Sequence, residues 1–391
     1  MFEEVFIIGG VRTPIGHPFK SLKDFKAAAL AALTIKEILK RNKIPSGTID
    51  EVIMGNTVSA GTGQNLSRQA SRWAGLSYKV PALTINNVCG AGLQAVVLAA
   101  QAIRSGEAKL VLAGGTESAT YNPSIVRDAE QEKIEKKDLI KTLIHDGLWC
   151  HLTNKHMGEL AEALASEFKI SRKEQDQYTI ESHRKARQAQ QVNKFREILS
   201  VPLKDSSVVQ KDDRPRANID LEKLTTLPPT FKKNGTVTAG NSSIPCDGAA
   251  CVLVATPPLP PPARRGEVHP RARIISYATI AIDPKKTFTA AIVAVKEALR
   301  KAGLSLRDID LFEVSESFAV QAIVTRQQLK IPEEKMNIWG GDVALGHPLG
   351  AAGARVLVTL LHALADRKKR LGVATVCFGG GGGVAMVVER M

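Results

Sequence analysis

The chain has 391 residues, of which 44% are hydrophobic and 24% are charged. These proportions are typical of a globular protein with two or three packed units, and they exclude a disordered polymer. The longest apolar runs, such as 91–100 and 373–378, are shorter than the roughly 20 residues of a membrane-spanning helix, so no span is expected. The formal net charge of +14 would suit a polyanionic partner. Because zinc-finger spacing and an aromatic RNA-binding signature are missing, a phosphorylated small molecule is favoured over nucleic acid. Any single basic run is interpreted as solvated surface charge.

The N-terminus and the cysteines indicate the compartment. Residues 1–5 have no basic region ahead of an apolar stretch, so secretion is not expected. The five cysteines are Cys89, Cys150, Cys246, Cys251 and Cys377. Their number is odd, and no two are spaced as a Cys-x-x-Cys pair. This pattern favours reduced thiols in a cytoplasmic setting over a disulfide framework or a structural zinc site.

The predicted elements occur in the same order twice. After a strand at 5–8, an amphipathic helix over 30–40 is followed by an Ile-Asp pair and a buried strand over 49–56. The same series returns at 290–300 and 309–316, about 260 positions later. The chain is therefore predicted to contain two similar α/β halves.

Each half continues with a reactive residue at the start of an apolar helix. Cys89 opens one helix and His347 opens its counterpart, and each helix is followed by a strand that ends in glycines. A helix N-terminus carries partial positive charge, which favours the thiolate form of a cysteine placed there. The surrounding glycines allow backbone amides to approach an oxyanion. This motif alone leaves open that Cys89 is only a small buried residue at a tight turn.

A second thiol, Cys377, ends the predicted strand 372–376 and precedes five glycines at 379–383. So many glycines provide open backbone rather than packing, which indicates close approach of a ligand. A phosphate-binding loop is the competing interpretation. It is disfavoured because no Gly-Lys-Ser or Gly-Lys-Thr follows and the run leads into another strand.

Seven segments in this order and spacing, spread over essentially the whole chain, resemble the signatures of the thiolase family. They are Val11-Arg12-Thr13-Pro14, Asn87 to Gly92, Gly114 to Ser118, His156-Met157-Gly158, Asn241-Ser242-Ser243 with Asp247 to Ala250, Gly340 to Ala351, and Cys377 to Gly381. Any one of these segments is weak by itself, but the ordered set is specific.

The resemblance implies an α/β duplicated thiolase-like fold, with two mixed five-stranded sheets, helices in layers and an inserted loop domain. The N-terminal half is expected at 1–117 plus 250–270, the insertion at 118–249 and the C-terminal half at 271–391. The charged, helix-like stretches 128–146 and 159–192 support the insertion, because they have no counterpart in the second half. Thiolases are usually dimers or tetramers, so a homodimer or homotetramer is expected.

The resemblance also implies the chemistry. Cys89 would carry an acyl group from 3-ketoacyl-CoA or acetyl-CoA, His347 would take its proton, and Cys377 would move a proton at the carbon alpha to the thioester. Gly379 and Ser315 are assigned to the same catalytic group. His156, Met157, Ser243 and Phe318 are assigned to binding of substrate and CoA. Coenzyme A would be a substrate, acyl-CoA and CoA the small-molecule partners, and no metal or redox cofactor would take part. A role in fatty acid metabolism follows from this assignment.

One departure from the family pattern affects function. Ser315 stands where thiolases carry the asparagine that holds a water beside the catalytic histidine. A hydroxyl can hold a water, but it is shorter and less directional than an amide. Two alternatives to an active thiolase therefore stay open: a thiolase-like acyl-CoA-binding protein with weak turnover, and a condensing enzyme of the ketoacyl-synthase type.

Overall fold

The computed structural model describes residues 4–126, 134–257 and 271–391. The elements of the N-terminal half are β1 (Phe6–Arg12), α1 (Ala27–Arg41), β2 (Glu51–Gly55), α2 (Leu66–Trp73), β3 (Ala82–Ile85), α3 (Ala91–Arg104) and β4 (Leu110–Glu117). The predicted helix at 30–40 and strand at 49–56 are confirmed as α1 and β2. Every residue of β1 and of β4 is buried, as expected for central strands that are covered on both faces.

The segment after β4 has its own small elements. They are β5 (Ser124–Ile125), β6 (Ile140–Lys141), a π-helix at Leu143–Leu148, β7 (Trp149–Cys150), β8 (Lys155–His156), α4 (Met157–Phe168), α5 (Arg172–Gln191), β9 (Val201–Pro202), β10 (Val208–Val209) and α6 (Leu221–Thr225). The predicted helical stretch 159–192 is confirmed as most of α4 and all of α5. Helix α5 begins at a reciprocal cap, in which the Ser171 side chain accepts from the Glu174 amide and the Glu174 carboxylate accepts from the Ser171 amide.

The helix predicted over 128–146 is wrong for its described part. Residues 134–146 form a 3₁₀ turn at Lys136–Asp138, the strand β6 and the start of the π-helix, and residues 128–133 lie outside the described residues. The cause is strand pairing, since β6 pairs antiparallel with β5 and the Thr142 amide and hydroxyl both donate to the Pro123 carbonyl.

The chain then completes both halves. The remaining elements are β11 (Gly248–Ala255), β12 (Ala272–Ala281), a 3₁₀ turn at Pro284–Thr289, α7 (Ala290–Ala302), β13 (Leu311–Val314), α8 (Ala319–Leu329), α9 (Asp342–Leu345), α10 (Ala352–Asp366), β14 (Leu371–Phe378) and β15 (Gly382–Arg390). The second copy of the helix–strand series is confirmed as α7 and β13. The domain boundaries stay a prediction, and residues 258–270 lie outside the described residues.

Among the described residues, nine strands form one sheet in the order β13-β14-β15-β12-β1-β11-β4-β2-β3. Five belong to the first half, as predicted, and four to the second. The two sets are joined where β1 pairs with β12, at Phe6 with Arg273 and at Ile7 with Ala272. The expected fifth strand of the second half is reduced to a single parallel bridge between Phe312 and Met336. The Asn337 side chain explains the reduction, because it bonds both the amide and the carbonyl of Val314 and so takes the place of a longer ladder.

Helices α3 and α10 pack against each other at two glycines. A Cβ at Gly92 would lie 2.9 Å from the Ala354 amide nitrogen, and one at Gly353 would lie 2.6 Å from the Leu93 amide nitrogen. Each backbone therefore occupies the space that a side chain on the other helix would need. This close approach brings the first turns of the two helices, and the residues just before them, together.

One described segment, Leu349–Asp366, is long and apolar enough to cross a membrane by length and composition. It comprises the turn before α10 and α10 itself, and 83% of it is buried inside the fold. It was not among the apolar runs noted in the sequence. Such burial is typical of the core helix of a folded domain.

Candidate active site

A cavity of about 250 Å³ lies where the two halves and the inserted segment meet. Its lining includes every predicted site residue except Ser315: Cys89, His347, Cys377, Gly379, His156, Met157, Ser243 and Phe318. The structure therefore brings together residues that are nearly 290 positions apart in the chain.

Cys89 lies in a tight turn just before α3 and is 8% exposed. The preceding residue, Val88, has φ of +49°, which is an unusual conformation for a β-branched residue. Two hydrogen bonds hold it there, since its amide donates to the Asn86 side chain at 2.9 Å and its carbonyl accepts from the Thr57 hydroxyl at 3.0 Å. Strain that is maintained in this way is typical of functional turns.

His347 lies in the equivalent turn before α10, and its backbone is fixed on both sides. Its amide donates to the Ile244 carbonyl at 2.9 Å, and its carbonyl accepts from the Cys246 amide at 3.2 Å. On the ring, Nδ1 lies 3.1 Å from Oδ2 of Asp342, whereas Nε2 has no hydrogen-bond partner among the described residues. One ring nitrogen is thus anchored and the other is available to the cavity.

Asp342 is a residue that the sequence analysis missed, although it lies within the quoted segment 340–351. It is fully buried, as is Arg355, whose Nη2 donates to Asp342 Oδ1 at 2.6 Å. Burial favours the neutral acid, yet the charges of Arg355 and His347 hold the pKa of Asp342 below its usual range. The signal that could have identified it is a lone carboxylate in an apolar stretch five residues before a catalytic histidine.

The pKa of His347 reflects this environment. Burial lowers it, but the negative charge that Cys89 carries as a thiolate, together with that of Asp342, outweighs burial and raises the pKa to about 10. A proton that leaves the Cys89 thiol is therefore well accommodated on His347.

Ser315 is the predicted site residue that does not line the cavity. Its side chain is fully buried outside the cavity lining, and its Oγ donates to Asp342 Oδ2 at 2.5 Å. Because its single proton is used in the bond to Asp342, the hydroxyl could hold a water only as an acceptor, and its predicted water-holding role stays a prediction.

Cys377 and Gly379 also line the cavity, at the end of β14 and in the turn that follows. Burial raises the pKa of Cys377 to about 12, and the negative charge of Cys89 acts in the same direction. Cys377 is consequently a protonated thiol at neutral pH, available as an acid. The hydroxyl of Ser317, another residue that the sequence analysis missed, also lines the cavity and lowers the Cys377 pKa by hydrogen bonding.

The inserted segment supplies an apolar wall with one polar ring. His156 stacks on Phe231 with ring centroids 4.9 Å apart, and its Nδ1 accepts from the Gly158 amide as the cap of α4. Burial lowers the pKa of His156, so the ring is neutral and its proton lies on Nε2. The wall continues with Phe318, which makes edge contacts with Phe231 and with Phe288.

Ser243 is fixed by the same wall. Its amide and its hydroxyl both donate to the Ser317 carbonyl, at 3.1 Å and 2.8 Å.

Neither Phe231 nor Phe288 was predicted from the sequence as a candidate site residue. Both line the cavity, and only a folded chain could show this. No group of three or more His, Cys, Asp or Glu side chains suited to a metal ion occurs within the described ranges.

The chain matches two family models, the N-terminal domain of thiolase over residues 5–257 and the C-terminal domain of thiolase over residues 268–390. The acetyl-CoA acetyltransferase of Escherichia coli (strain K12) is 43% identical over 392 residues, with 98% of each chain covered. A crystal structure of the Bacillus anthracis acetyl-CoA acetyltransferase is similar with a TM-score of 0.95 at 34% identity, covering 100% of this chain and 99% of the other. Human mitochondrial 3-ketoacyl-CoA thiolase in complex with CoA has a TM-score of 0.94 at 37% identity, with 100% and 98% covered.

Proposed function

Because this chain belongs to the thiolase family and is a thiolase enzyme, we propose that it is an acyl-CoA:acetyl-CoA C-acyltransferase working through an acyl group on Cys89. It would cleave 3-ketoacyl-CoA with CoA, or condense two acetyl-CoA in the reverse direction. The observation that carries the proposal is the single cavity lined by Cys89, His347 and Cys377. The full-length similarity to thiolases does not favour the condensing-enzyme alternative or the alternative of a binding protein with weak turnover.

The first half-reaction forms the acyl-enzyme. The Cys89 proton moves to His347, and the sulfur attacks the keto carbon of the substrate. The bond between that carbon and the alpha carbon of the thioester breaks, and the alpha carbon takes a proton from the Cys377 thiol. Acetyl-CoA leaves, while the acyl group stays on Cys89. The backbone around Gly379 provides open space at the position where negative charge develops on the carbonyl oxygen.

The second half-reaction restores the enzyme. The Cys377 thiolate takes the proton of the incoming CoA thiol, and the CoA sulfur attacks the acyl group on Cys89. The Cys89 sulfur departs and regains its proton from His347, so atoms and charges balance over the cycle. The reaction as proposed needs no metal or redox cofactor, and CoA is a substrate.

We assign the binding of the pantetheine arm and acyl group to His156, Met157, Ser243 and Phe318. The apolar wall suits methylene groups, and the Nε2 proton of His156 can donate to a thioester or amide carbonyl. The CoA complex of human mitochondrial 3-ketoacyl-CoA thiolase supports CoA as the ligand. A homodimer or homotetramer, a cytoplasmic location and a role in fatty acid metabolism belong to the same proposal. The five buried free thiols support a reducing compartment.

The test mixes the pure protein with acetoacetyl-CoA and CoA, follows loss of the 3-ketoacyl thioester, and searches by intact mass for an acetyl group on Cys89. We expect turnover together with an adduct that disappears in Cys89→Ala. Cys251→Ala is the matched control, since this thiol is fully buried in β11 and outside the cavity lining, and it should retain both. Turnover that survives in Cys89→Ala would reject the proposal.

A further inference from the structure

The carboxylate of Asp342 contacts a different set of groups with each of its oxygens. Oδ1 accepts from Arg355 at 2.6 Å. Oδ2 accepts from the Ser315 hydroxyl at 2.5 Å and from the Glu316 amide at 3.1 Å, and it lies 3.1 Å from Nδ1 of His347. The side chain has no exposure to solvent, so its interactions with these groups are not screened by water.

We propose that Asp342 is a positioning residue that orients His347 toward Cys89, and that Ser315 acts by holding this carboxylate in place. The inference deepens the proposed function and rests on it for the identity of the reaction. It gives the site a Cys–His–Asp relay in which the carboxylate touches the histidine and not the substrate.

The tautomer of His347 is set by Asp342. An ionised carboxylate can only accept hydrogen bonds, so Nδ1 of His347 must carry the proton that points at Asp342. As long as Cys89 keeps its proton, the lone pair is then on Nε2, the nitrogen without a partner among the described residues. When Cys89 transfers its proton, the S–H bond breaks and an Nε2–H bond forms. The resulting imidazolium is stabilised by the carboxylate at its other end.

The role of Ser315 follows from its hydrogen bond to Oδ2 of Asp342. Its hydroxyl and His347 share Oδ2 of Asp342, so the serine fixes the rotation of the carboxylate about its Cβ–Cγ bond. Both side chains are fully buried. Ser315 and Asp342 therefore act together, and the group that holds the His347 ring in place is an ionised carboxylate.

The titratable groups around His347 belong to several elements. Asp342 on α9 and Cys89 in the turn before α3 act on the ring directly. Arg355 on α10 pairs with Asp342, Glu313 on β13 and Glu316 just after it act on Arg355, and the Cys377 thiol on β14 is close to Cys89. Arg214 donates to the Val343 carbonyl beside the same turn. Because Arg355 lies between Glu313 and Asp342, Asp342 remains ionised throughout the working pH range.

Asp342→Asn tests the proposal with little change of shape. Its Oδ1 can still accept from Arg355, but its Nδ2 would then donate to Nδ1 of His347 and place the ring proton on Nε2, facing Cys89. In the full chain labelled with ¹⁵N-histidine, we expect the His347 signals to change from the Nδ1–H to the Nε2–H tautomer. The rate of Cys89 alkylation by iodoacetamide at pH 7 should fall about 10- to 100-fold. Turnover of acetoacetyl-CoA should fall by roughly 10²- to 10⁴-fold in kcat with little change in KM.

Glu313→Gln is the matched control, because this buried carboxyl also pairs with Arg355, at 2.7 Å, but does not touch His347. It should leave the tautomer and the alkylation rate within about twofold of the parent, although Tm decreases in both variants. Ser315→Ala should lower the alkylation rate severalfold in the parent and have no further effect in Asp342→Asn, since both substitutions act through one oxygen.

Equal losses of alkylation in Asp342→Asn and Glu313→Gln, or an unchanged tautomer in Asp342→Asn, would overturn the proposal and leave Asp342 a structural residue. The tautomer and the alkylation rate require no acyl substrate. If the parent protein fails to turn over acetoacetyl-CoA, the proposed function falls, while these two measurements still decide whether the relay exists.

Discussion

The two halves of the molecule place a reactive residue in the same position and give it different surroundings. In the cysteine turn (residues 86–90), Cys89 follows Val88 with φ of +49°, and in the histidine turn (residues 345–348), His347 follows Gly346 with φ of +104°. The cysteine turn is held by neutral groups, whereas the histidine turn is anchored by the buried ion pair of Asp342 and Arg355. The duplicated backbone therefore places Cys89 and His347 in equivalent turns, and the neighbouring side chains determine the charge environment of each.

The two turns also differ in how they accommodate positive φ. A Cβ at Gly346 would lie 2.5 Å from the Cys246 sulfur, and its φ and ψ of 104° and 161° belong to a region that is essentially restricted to glycine. At the equivalent position of the cysteine turn, a valine is held in the left-handed region by two hydrogen bonds. The cysteine turn thus stores strain that the histidine turn avoids.

The largest expected effect is that of a substitution at Cys377, which separates the role of this thiol from that of the nucleophile Cys89. Cys377→Ala should lower kcat by roughly 10²- to 10⁴-fold, because the thiol that protonates the leaving carbon is lost. Incubation with acetyl-CoA should nevertheless leave an acetyl group on Cys89, since thioester exchange breaks no carbon–carbon bond. Intact mass measures the adduct, and thioester absorbance measures turnover. Loss of the adduct as well would mean that Cys377 also acts in acylation.

The next effect tests the contact between the two helices that the turns open. Gly92→Ala and Gly353→Ala each place a methyl group against backbone of the other helix, and each should lower the free energy of unfolding by about 1–3 kcal/mol. Gly353→Ala should cost more, because its Cβ would lie closer to backbone, at 2.6 Å against 2.9 Å. Denaturant unfolding measures both. Gly47→Ala is the control, since no atom lies within 4 Å of its Cβ position; equal costs in all three would contradict the close-packing argument.

The smallest effect concerns the strain at Val88. Val88→Gly removes the steric cost of positive φ but also removes packing and adds freedom to the unfolded chain, so the free energy of unfolding should change by less than about 1 kcal/mol. Acylation of Cys89 should slow, because the relaxed turn no longer holds the sulfur in one position. The measurement is the rate of adduct formation together with Tm. An unchanged acylation rate would show that the strain has no functional consequence.

The sequence by itself determined the features that depend on local pattern. Helical periodicity and the repeated Ile-Asp pair identified the duplication, because amphipathic spacing is imposed by the geometry of each element. The small-residue turns around Cys89 and His347, and the glycines after Cys377, were recognisable for the same reason, since close backbone approach requires residues without a bulky side chain. The ordered motifs then pointed to the family.

Only the tertiary structure decided which side chains meet. It joined the two sets of strands through β1 and β12, reduced the expected fifth strand to a bridge, and formed pairing strands within a charged stretch that had been predicted as a helix. It also turned Ser315 away from the cavity toward Asp342, and it brought Phe231 and Phe288 to the cavity wall. Such contacts depend on the path of the backbone over long sequence separations, which local propensity does not specify.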